Sequence, residues 1–385
     1  MSNTQKKNVP ELRFPGFEGE YSLDIFGNLA TNKSDKFNPQ NENASIDIEL
    51  DCIEQNTGRL IKIYNSKEFS SQKNKFNPQN VLYGKLRPYL NKYYFTKKSG
   101  VCSSEIWVLK STKEDKLLNL FLYYFIQTKR YSDVASKSAG SKMPRADWGL
   151  IENIRVYFPE LCEQQKIGEF FSKLDRQIEL EEQKLELLQQ QKKCYMQKIF
   201  SQELRFKDDN GNDYPEWEEK KLGELSQIVR GASPRPIKDP KWFNKESDIG
   251  WLRISDVTDQ NGKIYHLEQK LSIEGQEKTR VLLTTHLLLS IAASIGKPVM
   301  NFVKTGVHDG FLIFLNPKFN IFFMYYWLDY FKEKWSKYGQ PGSQVNLNSE
   351  IVKSQTLNMP SNHEQEKVGL FFSRNEKLIE LQQEK

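Results

Sequence analysis

The longest regular pattern of apolar and polar positions lies between Glu163 and Phe200. This stretch contains no proline, its only glycine is Gly168, and apolar residues recur at steps of three and four. Seven of the nine positions on this stripe are apolar, and the other two are Glu181 and Lys192. Charged residues and glutamine fill nearly all other positions. Such a narrow seam predicts a two-stranded coiled coil, and a helix lying on a domain core is the alternative interpretation.

A second copy of the pattern begins 201 residues later. Residues 159–184 and 360–385 are identical at twelve of 26 positions without a gap, and EQQKIGEFFS in the first copy becomes EQEKVGLFFS in the second. The tetrapeptide ELRF also occurs twice, at 11–14 and at 203–206. Such repetition predicts one architectural unit written twice: a short N-terminal segment, a globular region and an amphipathic helix.

The second helix is the expected partner of the first. The first helix leads the chain from one globular region to the other, so copies related by a two-fold axis would place the helices antiparallel. A helix of about 38 residues is about 57 Å long at about 1.5 Å per residue, which would hold the two regions apart. The residues expected on the seam, for helix pairing or for docking a partner, are Phe170, Phe171, Leu174, Ile178, Leu185, Leu188, Phe371, Phe372 and Ile379.

The two globular regions combine short strand patterns with helices. A shift of 206 residues aligns the strand patterns at 81–95 with those at 287–303, and it aligns Gly100 with Gly306. Each region then continues into an aromatic-rich helical segment. The predicted fold class is therefore α+β: two similar mixed α/β domains separated by an antiparallel two-helix coiled coil, in a pseudo-two-fold repeat.

Composition excludes several classes of protein. The 385 residues are 38% hydrophobic, with 24 Phe and 17 Tyr, so sizeable cores can form, and the mean hydropathy is −0.68. No window approaches about 18 uninterrupted apolar residues, and the N-terminus lacks the apolar stretch of a signal peptide. The four cysteines and four histidines are scattered without a CxxC pair or a zinc-binding spacing. These features predict a cytoplasmic protein with reduced thiols, no membrane span and no metal site.

Positive charge is concentrated in the globular regions. Lys plus Arg outnumber Asp plus Glu by 20 to 13 in residues 21–150 and by 16 to 12 in residues 230–350. The helix at 160–200 and the linker at 201–229 carry no such excess. Nucleic acid is the favoured partner, because neutralising its phosphates releases counterions and supplies affinity. An ordinary basic surface is the alternative.

Several segments together resemble the specificity subunits of type I restriction–modification enzymes. They are the two EQxKxGxFFS helix starts, RGASPRP (230–236), GWLRISDVTDQNG (250–262), LLLSIAASIGKP (287–298) and GSQVNLN (342–348). They span nearly the whole chain in the order that the family shows, although region one has NKSDKFNPQN where a GxSP-type segment is expected. The resemblance implies two target recognition domains, each binding one half of a split double-stranded DNA site. It also implies that the helices dock two methyltransferase (M) subunits, with restriction (R) subunits outside them.

The resemblance divides the chain into five predicted parts. They are an N-terminal segment (1–20), target recognition domain 1 (21–150), a central helical spacer (151–201), target recognition domain 2 (202–350) and a C-terminal helical spacer (351–385).

The chain itself is expected to be non-catalytic. It has no P-loop and no glycine-rich loop for S-adenosylmethionine, and its FNPQN segments have glutamine where an adenine methyltransferase has a second proline. No cofactor is expected on this chain. The resemblance implies S-adenosylmethionine, ATP and Mg²⁺ on the partner subunits, with which the complex acts as an adenine DNA methyltransferase and an ATP-dependent endonuclease.

Side chains that suit base edges or phosphates are the candidate DNA contacts. Arg and Lys suit guanine, Asn and Gln suit adenine, and half to two-thirds of protein–DNA contacts go to the backbone. In region one the candidates are Arg59, Lys85, Arg87, Tyr89, Lys142 and Arg145. In region two they are Arg230, Ser233, Arg235, Lys238, Arg253, Lys297, Gln344 and Asn346. The alternative for each of them is a solvated surface side chain.

Two other functions fit the same sequence. A stand-alone regulator with two DNA-binding regions would not depend on partner subunits. A scaffold whose coiled coil and globular regions bind proteins would not show the steep loss of affinity with salt that DNA binding shows. The DNA-specificity subunit is the leading interpretation, because two similar helix starts follow two globular regions that share a strand pattern but differ at most side chains.

The beginning of the first helix is expected to lack an intramolecular partner. The second helix reaches Lys385, and antiparallel pairing would place 364–385 beside 179–200. The apolar side chains left uncovered would be Ile167, Phe170, Phe171 and Leu174. Because exposure of large apolar side chains is unfavourable, they should pack against their own domain, a second copy or a methyltransferase subunit. A shortened chain, whose full-length form covers them, is the alternative.

Overall fold

The computed structural model describes residues 8–38, 46–65, 71–137, 142–292, 294–338 and 347–385, apart from the side chains of Ser336 and Tyr338. The chain divides into two compact units, Met1–Glu179 (unit 1) and Leu180–Lys385 (unit 2). Within the described ranges, no helix combines the length and the apolar character that a membrane crossing requires.

The regular elements of unit 1 are short strands and helices followed by one long helix. The strands are β1 (Ser22–Ile25), β2 (Ala30–Thr31), β3 (Lys36–Phe37), β4 (Asp47–Ile48), β5 (Lys73–Phe76), β6 (Val81–Gly84), β7 (Tyr93–Phe95), β8 (Gly100–Cys102), β9 (Ile106–Ser111) and β10 (Arg155–Phe158). The helices are α1 (Phe26–Leu29), α2 (Asn119–Phe125), α3 (Lys129–Ala135), α4 (Trp148–Ile151) and α5 (Leu161–Phe200), which continues into unit 2. The sheets have the strand orders β1-β10, β2-β9-β6-β7 and β3-β5-β8-β4.

Unit 2 contains a matching series of elements after the end of α5. Its strands are β11 (Glu218–Lys221), β12 (Gln227–Arg230), β13 (Gly250–Leu252), β14 (Lys263–Ile264), β15 (Arg280–Leu282), β16 (Leu287–Ser290), β17 (Pro298–Asn301), β18 (Thr305–Val307), β19 (Phe311–Leu315) and β20 (Thr356–Met359). Its helices are α6 (Leu222–Leu225), α7 (Ile254–Asp259), α8 (Ile273–Glu277), α9 (Ile321–Phe331), α10 (Ser349–Ser354) and α11 (Asn362–Gln383). The sheets have the strand orders β11-β20, β12-β19-β16-β17-β14 and β13-β18-β15.

The two units share one topology. The antiparallel series β9-β6-β7 in unit 1 corresponds to β19-β16-β17 in unit 2. In the second sheet, β4 and β13 run parallel to β8 and β18, while β5 and β15 run antiparallel to them. Unit 1 adds β3 beside β5, and unit 2 adds β14 beside β17. The predicted α+β class, with two similar mixed regions, is confirmed.

The central strand of each unit lies between two cores, which explains its continuous apolar sequence. In β16, Leu287 belongs to the core that includes α9, and Leu288 belongs to a second core. In β6, Val81 and Leu82 divide between two cores in the same way. Because successive side chains point to opposite faces of a sheet, a strand covered on both faces must be apolar at every position.

A buried ion pair fixes the repeated helix start in each unit. Arg13, from the first ELRF, donates to the two carboxylate oxygens of Glu163 at 2.8 and 2.6 Å. Arg205, from the second ELRF, donates to Glu364 at 3.3 and 2.9 Å. Both glutamates are fully buried. The two repeated motifs therefore belong together, because each ELRF arginine neutralises the helix-start glutamate of its own unit.

The glutamine of the same motif joins the long helices to the aromatic helices. Gln164 accepts a hydrogen bond from the backbone N–H of Leu118 at 2.9 Å, and Gln365 accepts one from the backbone N–H of Asn320 at 2.8 Å. Leu118 directly precedes α2, and Asn320 directly precedes α9. The start of α5 is thus tied to the start of α2, and the start of α11 is tied to the start of α9.

The last strand of each globular region lies inside a range that the sequence assigned to a spacer. Strand β10 falls within 151–201 and pairs with β1, and α5 begins only at Leu161. Strand β20 falls within 351–385 and pairs with β11. A boundary after these strands agrees better with the strand pairing than the limits at 150 and 350 do. The domain limits themselves stay predictions.

Within unit 2, α11 packs antiparallel to the second half of α5. Gln382 donates to the backbone carbonyl of Glu181 at 3.2 Å, and Lys192 Nζ lies 3.3 Å from Glu376 Oε1. Residue numbers fall along α11 as they rise along α5, so the predicted antiparallel direction is confirmed. The two polar positions on the seam of α5 are therefore satisfied by polar side chains of α11.

Burial differs along the predicted seam. Phe372 is fully buried, and the half-buried positions are Leu185, Leu188, Phe371 and Ile379. The positions within unit 1 are more exposed: Phe170 and Phe171 by 43%, Leu174 by 38% and Ile178 by 53%. Phe170 packs against Phe14, with ring centroids 5.4 Å apart, and Phe171 packs against Tyr124 at 5.3 Å. The expected packing of the first helix on its own domain is thus present, but it is partial.

Candidate nucleic-acid interface

In unit 1, predicted DNA-contacting residues meet where β6 ends and β9 begins. The backbone N–H of Lys85 donates to the carbonyl of Glu105 at 3.0 Å, and that of Arg87 donates to the carbonyl of Pro144 at 2.7 Å. These bonds place the segment after β6 beside both the residue before β9 and residues 142–146. The candidates gathered here, called surface 1, are Lys85, Arg87, Tyr89, Lys142 and Arg145.

Glu105 orients the guanidinium group of Arg145. Nε of Arg145 lies 2.9 Å from Oε2 and Nη2 lies 3.3 Å from Oε1, and the carboxylate raises the pKa of Arg145. The Arg145 side chain is half exposed. Arg87 has a left-handed backbone (φ 52°) and an exposed side chain, and the exposed Tyr89 lies in the 3-10 turn that follows. Surface 1 therefore presents two arginines and a tyrosine to solvent on a hydrogen-bonded frame.

In unit 2, Asp309 is the centre of the corresponding cluster. Its backbone carbonyl accepts a hydrogen bond from Nε of Arg230 at 2.6 Å, and its Oδ2 accepts one from Nη2 of Arg235 at 2.7 Å. Ser233 Oγ donates to Oδ1 at 2.8 Å. Burial tends to raise the pKa of Asp309, but the Ser233 hydrogen bond and the neighbouring cations outweigh it, so the pKa is lowered. One residue thus holds two arginines and a serine in place.

A cleft of about 610 Å³ adjoins this cluster. Arg253 lines it and binds both oxygens of Asp256, with Nη2 2.8 Å from Oδ1 and Nε 3.2 Å from Oδ2. His308 and Trp251 also line the cleft and pack together with ring centroids 5.6 Å apart, and burial lowers the pKa of His308. Lys238 is exposed and lines the same cleft. The cleft therefore combines aromatic walls with cationic side chains.

Lys297 differs from the other candidates of unit 2 because its side chain is half-buried. Its Nζ donates to the backbone carbonyl of Val257 at 3.3 Å, in α7. Burial lowers the pKa of Lys297, and the nearby charge of Lys332 adds to the shift. The described candidates of unit 2, called surface 2, are Arg230, Ser233, Arg235, Lys238, Arg253 and Lys297.

Surfaces 1 and 2 lie at equivalent ends of the two central sheets. Lys85 directly follows β6, and its backbone bonds to Glu105, directly before β9. Ile291 directly follows β16, and its backbone N–H donates at 2.8 Å to the carbonyl of Gly310, directly before β19. Glu105 holds Arg145 at this edge in unit 1, and Asp309 holds its cluster there in unit 2. The two charged clusters therefore occupy one topological place in the shared fold.

Three candidates are not part of these surfaces. Arg59 lines a different groove of unit 1, together with Lys97 and Glu179, and its backbone carbonyl accepts a hydrogen bond from Glu54. Gln344 and Asn346 lie outside the described residues. Among the residues that the structure does describe, no group of three or more His, Cys, Asp or Glu side chains is placed to hold a metal ion.

Sequence reasoning missed the acidic residues that orient the arginines. Glu105 and Asp309 were not among the candidate DNA contacts. Glu105 directly precedes β9, and Asp309 lies two residues before the start of β19. An acidic residue at this matched place in both regions was the available signal, and it would have pointed to the neighbouring arginines.

The duplicated fold and its helix starts match a known family. The sequence profile described as "Type I restriction modification DNA specificity domain" matches residues 20–190 and, a second time, residues 214–385. The chain belongs to this family.

Individual members of the family are similar over most of the chain. The type I restriction enzyme MjaVIII specificity subunit of Methanocaldococcus jannaschii is 26% identical over 307 residues, which cover 74% of this chain and 70% of that protein. The crystal structure of the type I restriction–modification S subunit from M. genitalium gives a TM-score of 0.57 at 13% identity, covering 99% of this chain and 94% of that one. A structure described for complex assembly and conformational transition of the type I R-M system gives a TM-score of 0.56 at 17% identity, covering 97% and 95%. At these identities the structures support the fold.

Family membership defines the general role of the chain. It is a DNA-specificity subunit of a type I restriction–modification system, with two recognition domains for the DNA target. Such a subunit is non-catalytic, and the enzymatic activities belong to its methyltransferase and restriction partners.

Proposed function

We propose that surfaces 1 and 2 each contact one half of a bipartite target in double-stranded DNA. The observation that carries this proposal is the equivalent position of the two surfaces, at the ends of β6 and β9 and of β16 and β19. Different side chains stand on the same backbone frame in the two units. Because side-chain chemistry determines which base edges are recognised, the two half-sites should differ in sequence.

The oriented arginines favour contact with bases. Arg145 is fixed by Glu105, and Arg235 is held by Asp309. Arginine recognises guanine through two parallel hydrogen bonds, so a guanidinium group whose plane is already fixed loses less side-chain entropy on binding. The exposed Lys142 has no such constraint among its described contacts and suits a phosphate. Surface 1 and surface 2 would therefore each combine base contacts with phosphate contacts.

The spacing of the target follows if both surfaces approach one side of the duplex. The centres of the half-sites would then lie about one helical turn apart, which is roughly 10 bp. If each surface contacts about 4 bp, roughly 6 bp of indifferent sequence lie between the half-sites.

We further propose that the chain docks two methyltransferase subunits, one on each copy of the helix start, in the cytoplasm. The presence of the same buried Glu–Arg pair in both units supports two equivalent docking sites. The chain would bind no cofactor itself, and S-adenosylmethionine, ATP and Mg²⁺ would be held by the M and R subunits. Native mass spectrometry of the co-expressed complex measures the stoichiometry. A complex with a single M subunit would contradict two equivalent sites.

Exchange of one recognition domain tests the assignment of half-sites. Residues 21–158 are replaced by the corresponding domain of another specificity subunit, so that β10 stays with β1, and modified adenines are mapped genome-wide in the presence of the M subunit. One half of the target should change while the other is retained. The unchanged chain is the control. A change in both halves, or a continuous or palindromic target, would contradict the proposal.

Salt dependence separates DNA recognition from protein scaffolding. The logarithm of the affinity for the mapped target should fall linearly with the logarithm of the salt concentration, with a slope of several units. A shallow slope would indicate that phosphates are not the main ligands of the two surfaces.

A further inference from the structure

Two neighbouring strands of unit 2 bring an arginine and a histidine to the same cleft. Strands β13 and β18 run parallel, with Leu252 opposite Val307. Arg253 directly follows β13 and His308 directly follows β18, so both residues lie at one edge of this sheet. Both line the cleft of about 610 Å³ beside surface 2. Arg253 was a predicted DNA contact, whereas His308 was not.

The backbone fixes the hydrogen-bonding state of the His308 ring. The N–H of Gly310 donates to Nδ1 of His308 at 2.8 Å. Because a backbone N–H can only donate, Nδ1 is the unprotonated nitrogen, and the proton of the neutral ring lies on Nε2. Oδ1 of Asp309 lies 3.2 Å from Nδ1 and already accepts a hydrogen bond from Ser233. The ring therefore presents a hydrogen-bond donor, Nε2–H, on its other side.

Packing and neighbouring charges keep the ring neutral and in place. Trp251 packs against it with ring centroids 5.6 Å apart, and 26% of the His308 side chain remains exposed. Burial lowers the pKa of His308. The Asp309 carboxylate opposes this pKa shift, and the charges of Arg235 and Arg230 add to it. Among the described residues, none forms a hydrogen bond with Nε2, so this donor is available to a ligand in the cleft.

We propose that Nε2–H of His308 donates a hydrogen bond to a base edge in the major groove of the half-site that unit 2 contacts. This inference rests on the proposed function of surface 2. The acceptors in that groove are N7 and O6 of guanine, N7 of adenine and O4 of thymine, whereas cytosine presents its N4 amino group, which is a donor. His308 would therefore be a specificity-determining residue that rejects cytosine as the contacted base.

An uncharged donor favours a base over a phosphate. Lysines and arginines attract phosphates through their charge, and a neutral imidazole adds no such attraction. Arg253, which Asp256 holds through Nη2 and Nε, stands on the neighbouring strand. Neighbouring strands lie about 4.8 Å apart, and base pairs stack about 3.4 Å apart. The two side chains are therefore spaced to contact one base pair or two adjacent base pairs.

Unit 1 has different side chains at the matching edge. Glu49 and Ser103 follow its parallel strands β4 and β8. The Glu49 carboxylate pairs with Nζ of Lys73, and Ser103 Oγ accepts a hydrogen bond from the backbone N–H of Glu105 at 3.4 Å. Neither Glu49 nor Ser103 carries an imidazole or a guanidinium group, so recognition by an imidazole is expected in one half-site only.

Nitrogen-15 NMR of the full chain with labelled histidine tests the state of the ring. The chain has four histidines, and the His308→Gln variant identifies the signals of His308. We expect an unprotonated Nδ1 and a protonated Nε2 at neutral pH, and a shift of the Nε2 signal when the mapped target is added. A proton on Nδ1, or an Nε2 signal that the target leaves unchanged, would overturn the proposal.

Competition binding to the mapped target measures the specificity. The half-site of unit 2 is the one that stays unchanged when residues 21–158 are exchanged. Cytosine at the contacted position should weaken binding, and His308→Leu should reduce this penalty about fivefold. His308→Gln keeps an N–H donor near the position of Nε2 and should retain the penalty. His266→Leu, which replaces an exposed histidine outside the cleft, is the matched control and should also retain it.

The variants separate this inference from the proposed function, and circular dichroism verifies that each of them is folded. A loss of affinity that is uniform over all sequences in His308→Leu, or the same relaxed specificity in His308→Gln, contradicts the inference. If Arg235→Ala relaxes this half-site and His308→Leu does not, the inference fails while the proposed function stands. If neither substitution changes DNA binding, the proposed function of surface 2 fails as well.

Discussion

The two copies of the helix start make the same local contacts in different surroundings. In unit 1, Tyr124 donates to Asp175 on the neighbouring helix, and in unit 2 Tyr326 donates to Glu376. The first copy leaves its largest apolar side chains partly exposed, whereas the second copy is covered by the end of α5. A repeated sequence therefore determines which side chains meet within a unit. Whether those side chains become buried depends on another helix segment outside the repeated motif, which in unit 2 is the end of α5.

The carboxylates at the matched positions Glu376 and Asp175 also differ in their surroundings, and the one in unit 2 is again the more buried. Glu376 lies 3.3 Å from Lys192 Nζ and 2.5 Å from Lys263 Nζ, in addition to its bond with Tyr326. Burial tends to raise the pKa of Glu376. The two lysines and the Tyr326 hydrogen bond lower this pKa by more than burial raises it, so the net shift is downward. Asp175 is exposed. The same motif position is thus a buried charge cluster in unit 2 and a surface carboxylate in unit 1.

The largest effect is expected where the two copies agree. Replacing Glu163 or Glu364 by Ala leaves a mostly buried arginine without its carboxylate, and each change should cost about 3–5 kcal/mol of unfolding free energy. Denaturant unfolding measures both losses. Glu169→Ala, at an exposed position of α5, is the control and should change the unfolding free energy by less than about 0.5 kcal/mol. A large loss of unfolding free energy for only one of the two variants would mean that the Glu–Arg pair stabilises only one unit.

The phenylalanine pair should show the largest difference between the copies. Phe372→Ala removes a fully buried ring and should cost about 3–5 kcal/mol, as is usual for core phenylalanines. Phe171→Ala removes a ring that is 43% exposed and should cost roughly 1–2 kcal/mol. Unfolding of both variants under identical conditions gives the difference. Equal losses would show that Phe171 is covered in solution.

The two DNA surfaces provide a second comparison, measured by affinity. Arg145→Ala and Arg235→Ala should each cost about 1–3 kcal/mol of binding free energy if the arginine contacts a base, and each should relax specificity in a different half-site. Arg176→Ala, which removes a carboxylate-paired arginine of α5 outside both surfaces, is the matched control. Competition binding with targets altered in one half measures the effect. A loss that is uniform over all sequences would identify a phosphate contact.

The smallest effect concerns the pH dependence of the contribution that Glu376 makes to stability. Because the folded pKa of Glu376 lies below its ordinary value of 4.5, the folded state binds fewer protons than the unfolded state between these two values. Its contribution is therefore fully present above pH 4.5 and is lost as the pH falls through the folded pKa. Glu376→Gln should cost about 1–2 kcal/mol at pH 7 and much less in strong acid. Denaturant unfolding of both proteins at a series of pH values measures the effect, and a cost of Glu376→Gln that does not shrink in strong acid would contradict the lowered pKa of Glu376.

The sequence alone determined the features that depend on local periodicity and on repetition. The three-and-four spacing identified α5, and the 201-residue repeat identified α11 as its antiparallel partner, because a helix displays every third or fourth side chain on one face. Glu181 and Lys192, which contact polar side chains of α11, were visible in the sequence as breaks in the apolar stripe. The aligned strand patterns predicted that the two globular regions share a fold. Each of these inferences uses residues that are close in sequence or matched by the repeat.

The tertiary structure decided what depends on residues far apart in the chain. Arg13 meets Glu163 across 150 positions, and Arg145 meets Glu105 across 40, so neither pair leaves a local pattern in the sequence. Chain folding gathers Lys85, Arg87 and Arg145 at one sheet edge and leaves Arg59 in another groove. The open cavity of about 530 Å³ beside Phe171 likewise depends on the packing of α2 against α5. Local spacing specifies which face of a helix is apolar, whereas only the packing of distant elements specifies what, if anything, covers that face.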